Sequence, residues 1–242
     1  MTDVIANFDR SAVAYEAMAR PQFEMAAALA QLIGPAERHG RAVEFGAGPG
    51  LFTEHVQPWD GPYLATDAAA AMVRRGRVRC PQVEWAQHDA RTVWKGPAAD
   101  WIFSCNLLQW LDEPEKVLRL WRGQTHPGGH MLVAVLVHGT LGELAEVLPT
   151  AAPVVTGTVL EWQTQLTRAG FALEKSQSWH YVSVYPTALN FLRAMHAMGF
   201  APRRGTGPGR LRAALRDYDR RFAVAGGVQA TWQAWLARAQ AV

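Results

Sequence analysis

Short apolar runs that alternate with helix-like stretches predict an α/β fold, a mostly parallel sheet covered by helices on both faces. A glycine turn, Glu44-Phe45-Gly46-Ala47-Gly48-Pro49-Gly50, follows the first run and opens a helix-like stretch. Asp67 ends the second run and Asp89 follows the third, where open α/β sheets hold their ligands.

Residues 11–33 read as helix, with Ser11 as N-cap, Pro21 kinking or splitting it, and Gly34-Pro35 as its stop. The apolar runs are Ala42–Phe45, Tyr63–Thr66, Val83–Ala86, Trp101–Ser104 and Met131–Val137. Helices are expected over 51–57, 68–76 and 114–124, with a Pro127-Gly128-Gly129 turn before the fifth run. Beyond it, 158–169 reads as helix, 171–185 as strand, 187–198 as helix, 202–209 as loop and 210–222 as helix. Val228–Ala239 is open between strand and helix. Every stretch ties to one core, so the chain is expected to form a single domain.

The 242 residues are 49% hydrophobic, which excludes wholesale disorder. Two cysteines, Cys80 and Cys105, exclude a disulfide framework, and no His/Cys cluster suggests a metal. Met1–Arg10 has no apolar core of a secretory signal, and Met131–Val137 is far short of the ~20 residues that span a bilayer. A cytoplasmic protein with free thiols is expected. The net charge of +3 is uneven: residues 201–242 hold eight Arg against two Asp, +6, leaving −3 for the rest. Only three basic residues are Lys, so the Arg bias reads first as a codon effect.

A dinucleotide fingerprint GxGxxG needs its third glycine at Leu51, one place after Gly50, so the pyrophosphate spacing fails. Acid-x-Gly-x-Gly-x-Gly instead resembles the loop of class I S-adenosylmethionine (SAM) methyltransferases. SAM has no phosphate and carries a sulfonium cation, so Glu44 helps rather than repels. Asp67 either caps the next helix or accepts from the ribose hydroxyls. Asp89 is a turn residue or faces the adenine amino group. Ser104-Cys105-Asn106 is expected on the methyl-transfer side. Trp101, Trp110 and Met72 either wall the pocket or belong to the core.

The whole chain resembles the malonyl-acyl carrier protein O-methyltransferases of biotin synthesis. The likeness rests on Phe8-Asp9-Arg10-Ser11-Ala12 with Tyr15, Ala19 and Gln22, on Ser104 with Gln109-Trp110, and on Gly139-Thr140-Leu141 with Glu143-Leu144. It continues through Ala169-Gly170-Phe171, the helix from Tyr185 to Met198-Gly199, and Ala230-Thr231-Trp232. Cys105 stands where the family has Asn, and Gly199-Phe200 runs into a loop where the family continues Gly-Ala.

The resemblance implies a Rossmann-like class I SAM methyltransferase with a seven-stranded sheet. Residues 1–35 would cap the pocket, 41–138 would bind SAM, and about 186–225 would insert as a helical lid. Val228–Trp235 would be the last, antiparallel strand. The implied cofactor residues are Glu44, Gly46, Ala47, Gly48, Gly50, Asp67, Ala68, Met72, Asp89, Ala90 and Ser104. The acceptor side would use Tyr15, Gln109 and Trp110, with Arg193, Arg203, Arg204 and then Arg10 as candidate grips for the acceptor carboxylate.

The implied reaction methylates the free carboxylate of malonyl-acyl carrier protein and leaves S-adenosylhomocysteine. That carboxylate is ionised at pH 7, so no general base and no metal are expected, only positioning and desolvation. The acidic carrier would be steered by the +6 segment, which reads equally as a solvated helix. A monomer or weak dimer with no nucleic-acid or membrane partner is expected. The alternatives are an O-methyltransferase acting on a free small acid or other small molecule, and a non-catalytic SAM-fold interaction protein.

Overall fold

A computed structural model of the protein describes residues 2–148, 156–198 and 207–242. Five parallel strands form the centre: β1 (Ala42–Phe45), β2 (Tyr63–Asp67), β3 (Glu84–Gln87), β4 (Ala99–Cys105) and β5 (Thr125–Leu136). β6 (Phe171–Tyr185) forms the far edge. β7 (Ala223–Val224) folds back on β8 (Gly227–Ala241) as a short hairpin, and β8 lies antiparallel between β5 and β6. The order is β3-β2-β1-β4-β5-β8-β6, with β7 off this path. The seven strands of the path match the expected sheet.

Both faces of the central strands are buried, which explains their continuous apolar runs. One face of β1 carries Val43 and Phe45 into a core shared with α5 (Pro114–Arg122) and α7 (Val159–Arg168). The other face packs under α1 (Thr2–Met18), α2 (Arg20–Ala30), α3 (Leu51–His55) and α4 (Ala70–Arg79). That core also takes in α6 (Gly142–Val147), α8 (Ala188–Ala197) and α9 (Pro208–Arg221).

Three expectations change. Ser11 lies inside α1 and caps nothing; the helix starts upstream and breaks at Ala19. Pro21 then sits in the first turn of α2, where its missing N–H breaks no helical bond. Pro127-Gly128-Gly129 falls within the span of β5, where the register against β4 shifts between Ala99 and Trp101. The last segment is strand, and it runs past Trp235 to Ala241 because two neighbours pair with it along its length.

α1 crosses the carboxyl ends of the strands. The Asp9 carboxylate accepts the Ala71 N–H at 2.7 Å, in the first turn of α4. α8 packs on α1, and α9 packs on α6.

Below the sheet, the fully buried Trp121 stacks on Phe45 at 4.8 Å and donates its indole N–H to the Ala90 carbonyl at 2.9 Å. It thereby fixes the ends of β1 and β3 from the face opposite α1. Trp121→Ala is expected to lower stability by about 3–5 kcal/mol. In urea unfolding this reads as a lower midpoint with an unchanged slope.

Candidate active site

The sheet order reverses between β1 and β4, so a crevice opens at their carboxyl ends. The glycine turn lies there. Gly46, Gly48 and Gly50 take φ of 70°, 57° and 89°, left-handed values that side chains disfavour. A Cβ on Gly48 would meet no atom within 4 Å, so its backbone faces open space. The Asp67 carboxylate ties this loop down. One oxygen accepts the Gly48 N–H at 2.9 Å and the other the Ala69 N–H at 2.8 Å. The carboxylate has about four acceptor positions and a third backbone bond comes from Ala68, which leaves room for a ligand hydroxyl.

Glu44 points to the α1 side, 1% exposed, and accepts from Thr53 at 2.7 Å and from Tyr63 at 2.6 Å. Burial outweighs these two bonds and pushes its pKa up to about 7. Burial likewise lifts Asp67 to about 6, against backbone hydrogen bonds that lower it. Asp89 differs. Its carboxylate is gripped by the Arg91 side chain, with Nε at 2.9 Å, which holds its pKa below the usual range.

Glu44, Gly46, Ala47, Gly48, Asp67, Ala68, Met72, Asp89 and Ala90 all line one cavity, together with Tyr15 and Trp110. Phe8, on α1, meets Tyr15 and Trp110 edge to face at 6.0 and 5.4 Å, forming an aromatic wall. Tyr15 is hydrogen-bonded to Asn106, and burial holds its hydroxyl protonated far above its usual pKa.

Other expected residues lie elsewhere. Ser104 is fully buried within β4 and does not line the cavity; Cys105, the last residue of the strand, points to the opposite face and does. Gly50 caps α3 and backs onto Trp85. Gln109 acts at one remove, donating to Asn106 at 2.5 Å. Trp101 sits at the other end of the sheet, stacked on His130 under the Arg238 guanidinium. Arg193 is exposed on α8, and Arg10 is exposed and bonded to Asn7. Arg203 and Arg204 lie outside the described residues.

Cys105 and Asn106 line the cavity as expected of that segment, whereas the sequence reading passed over Phe8 and Gln22 as cavity residues. Asn106 takes a φ of 64°, a conformation that Asn adopts more readily than most residues. No described residue of 186–225 lines the cavity, which α1 and α2 cover instead.

Among the described lining residues are three carboxylates and one His, with no Lys or Arg. Such a cavity suits a cation with a neutral nucleoside and repels a polyphosphate. SAM fits it: Asp67 would take the ribose hydroxyls, Glu44 the cationic end, and the Gly46–Gly48 backbone would pass beside it. Fold, loop and acidic cavity define a class I SAM-dependent methyltransferase with a Rossmann-like sheet.

The comparisons carry this further. Residues 43–131 match a methyltransferase-domain family model. The malonyl-[acyl-carrier protein] O-methyltransferase of Brevibacillus brevis is 26% identical over 98% of this chain and 95% of its own length. The trans-aconitate 2-methyltransferase of an Azoarcus strain is 32% identical over 41% of this chain and 40% of its own. The structure of a SAM-dependent methyltransferase from Thermotoga maritima matches with a TM-score of 0.61 at 15% identity, over 98% of this chain and 99% of that one. The methyltransferase-domain match and the curated relatives support SAM-dependent O-methyl transfer as the activity, and the solved structure supports the fold. No helix of the described residues is long and apolar enough to cross a membrane.

Two outcomes are expected. Asp67→Ala should raise the Michaelis constant for SAM about 10-fold or more, the weight of hydrogen bonds to a charged acceptor. An unchanged value counts against the ribose role. The second concerns pH. With Glu44 at about 7 and Asp67 at about 6, the ligand-free fold binds more protons than the unfolded chain across this range. Their stabilising contribution is complete below the ordinary carboxylate range and is lost as pH rises through about 7. A cationic ligand favours the ionised forms, so calorimetric affinity for SAM should climb between about pH 5.5 and 7.5, with proton release. Glu44→Gln should flatten that climb.

Proposed function

We propose that the protein methylates the free carboxylate of a malonyl group carried on acyl carrier protein, in the cytoplasm, as a step toward biotin. The observation that carries this reading is the match to a malonyl-[acyl-carrier protein] O-methyltransferase along 98% of the chain.

The cavity is consistent with it. SAM supplies an electrophilic methyl group on its sulfonium. The residues of the chain then have only to position and dry the acceptor, because a carboxylate is already the nucleophile at pH 7. Tyr15 stays protonated, so it serves as a donor and not as a base. Asn106, fixed by Gln109, places its amide beside that hydroxyl. Phe8, Trp110 and Tyr15 exclude water, which favours the approach of anion to cation. Glu44 and Asp67 repel an anionic acceptor, which leaves the neutral Tyr15–Asn106 side as its seat.

The carrier protein is acidic, and α9 presents Arg210, Arg212 and Arg216 to solvent. Arg220 and Arg221 also lie on α9 and pair with Asp217, and Arg221 with Glu146. In this reading α8 and α9 form the carrier-docking side, outside α1, which walls the cavity. The partial match to a trans-aconitate 2-methyltransferase favours a second reading, a free small acid as acceptor.

Purified protein given SAM and malonyl-acyl carrier protein, malonyl-coenzyme A or free dicarboxylic acids separates the two readings. Turnover on the carrier-bound substrate alone supports the first, and turnover on free acids alone the second. Rescue of a biotin-requiring strain lacking this step tests the pathway. Arg212→Glu with Arg216→Glu should raise the Michaelis constant for the carrier-bound substrate several-fold at low salt and leave SAM affinity unchanged. If neither constant moves, docking lies elsewhere.

A further inference from the structure

Gln22, on α2, is 3% exposed and lines the cavity, yet neither its amide oxygen nor its amide nitrogen has a hydrogen-bond partner among the described residues. Ala26, one turn on, lines the same wall. The helix is held firmly: Phe23 packs its ring on His55 of α3 at 4.6 Å, so Gln22 has a fixed place rather than a frayed one. An apolar residue of the same length would fill this site at lower cost, since a buried amide without partners loses its hydration for nothing.

We infer that the Gln22 amide binds the α-amino-carboxylate end of the cofactor; this rests on the SAM reading of the cavity and not on the identity of the acceptor. Two arguments select that end. The first is position. α2 packs on α3, and α3 supplies the Thr53 hydroxyl to Glu44. Gln22 therefore belongs to the Glu44 side of the cavity, whereas Asp67 and Asp89 mark the nucleoside side. The second is chemistry. A zwitterion satisfies both orphan atoms at once: its ammonium donates to Oε1, and its carboxylate accepts from Nε2. An acceptor carboxylate would satisfy Nε2 alone. With no Lys or Arg among the described lining residues, a carboxylate here relies on neutral donors, and the Gln22 amide is one of them.

The test is calorimetric titration without any acceptor, using S-adenosylhomocysteine and 5′-methylthioadenosine. The second keeps the nucleoside and the sulfur but lacks the amino-acid end. Gln22→Met, nearly isosteric, should weaken S-adenosylhomocysteine about 10-fold or more and leave 5′-methylthioadenosine within about twofold. The same variant without ligand should melt about 2–4 °C higher, because an unpaired polar group leaves the core. A merely structural Gln22 would melt lower and lose both ligands together, and that result overturns the inference. So does S-adenosylhomocysteine binding that stays at the wild-type value. Should the Met variant fail to fold, Gln22→Glu keeps the shape and sets a negative charge against the ligand carboxylate. It should show the same selective loss, and equal affinities for both ligands relative to wild type would again overturn the role. Wild-type protein that binds neither compound would sink the cofactor reading and this inference with it, whereas inactivity on malonyl-acyl carrier protein would leave both intact.

Discussion

The bond between the Asp67 carboxylate and the Gly48 N–H joins the end of β2 to the loop that leaves β1. That loop bends through three left-handed glycines, and its geometry sets where α3 begins and where Glu44 and Thr53 meet. A second backbone bond, Ala47 N–H to the Thr66 carbonyl at 2.9 Å, runs beside it. Two adjacent strands thus hold one short turn open at the point where the strand order reverses. The crevice, the acids around it and the helix that walls it all follow from this closure.

The electrostatics of the crevice follow from burial. Glu44 and Asp67 sit on or beside central strands, in a place that disfavours charge, and their hydrogen bonds only partly offset this. A site of this kind is poised for a cation, which restores to the carboxylates what desolvation removed. Asp89 stands apart because Arg91 already neutralises it, so it offers shape and hydrogen bonding more than charge. The same acids make the cavity hostile to an anionic acceptor, except where α1 brings in a protonated Tyr15 and where Asn106 turns inward.

Much of the fold was legible in the sequence because the central strands are buried on both faces and therefore read as unbroken apolar runs. β8 was ambiguous for a physical reason. Its first half alternates between buried and half-buried positions, but from Ala234 to Ala239 both faces are buried and Ala is frequent, a composition equally suited to helix. Pairing with β5 on one side and β6 on the other decides the matter. Ser11 misled because a capping residue type does not cap when helical residues precede it.

Local chemistry determined the loop: the spacing of Gly46, Gly48 and Gly50, the acid before them, and Asp67 and Asp89 at strand ends each depend on only a few neighbouring residues. What the sequence by itself determined was therefore the fold class, the glycine loop and its flanking acids. Tertiary structure alone decided which side chains close over that loop. Gln22, Phe8 and Tyr15 reach the cavity because two N-terminal helices cross the strand ends, anchored by Asp9 at the start of α4. Structure also separated Ser104 from Cys105, one facing the core and the next facing the cavity, because successive residues of β4 point to opposite faces of the sheet. Contacts between residues far apart in sequence leave no periodic or spacing signal, so an unpaired buried amide such as Gln22 becomes visible only when its surroundings are assembled.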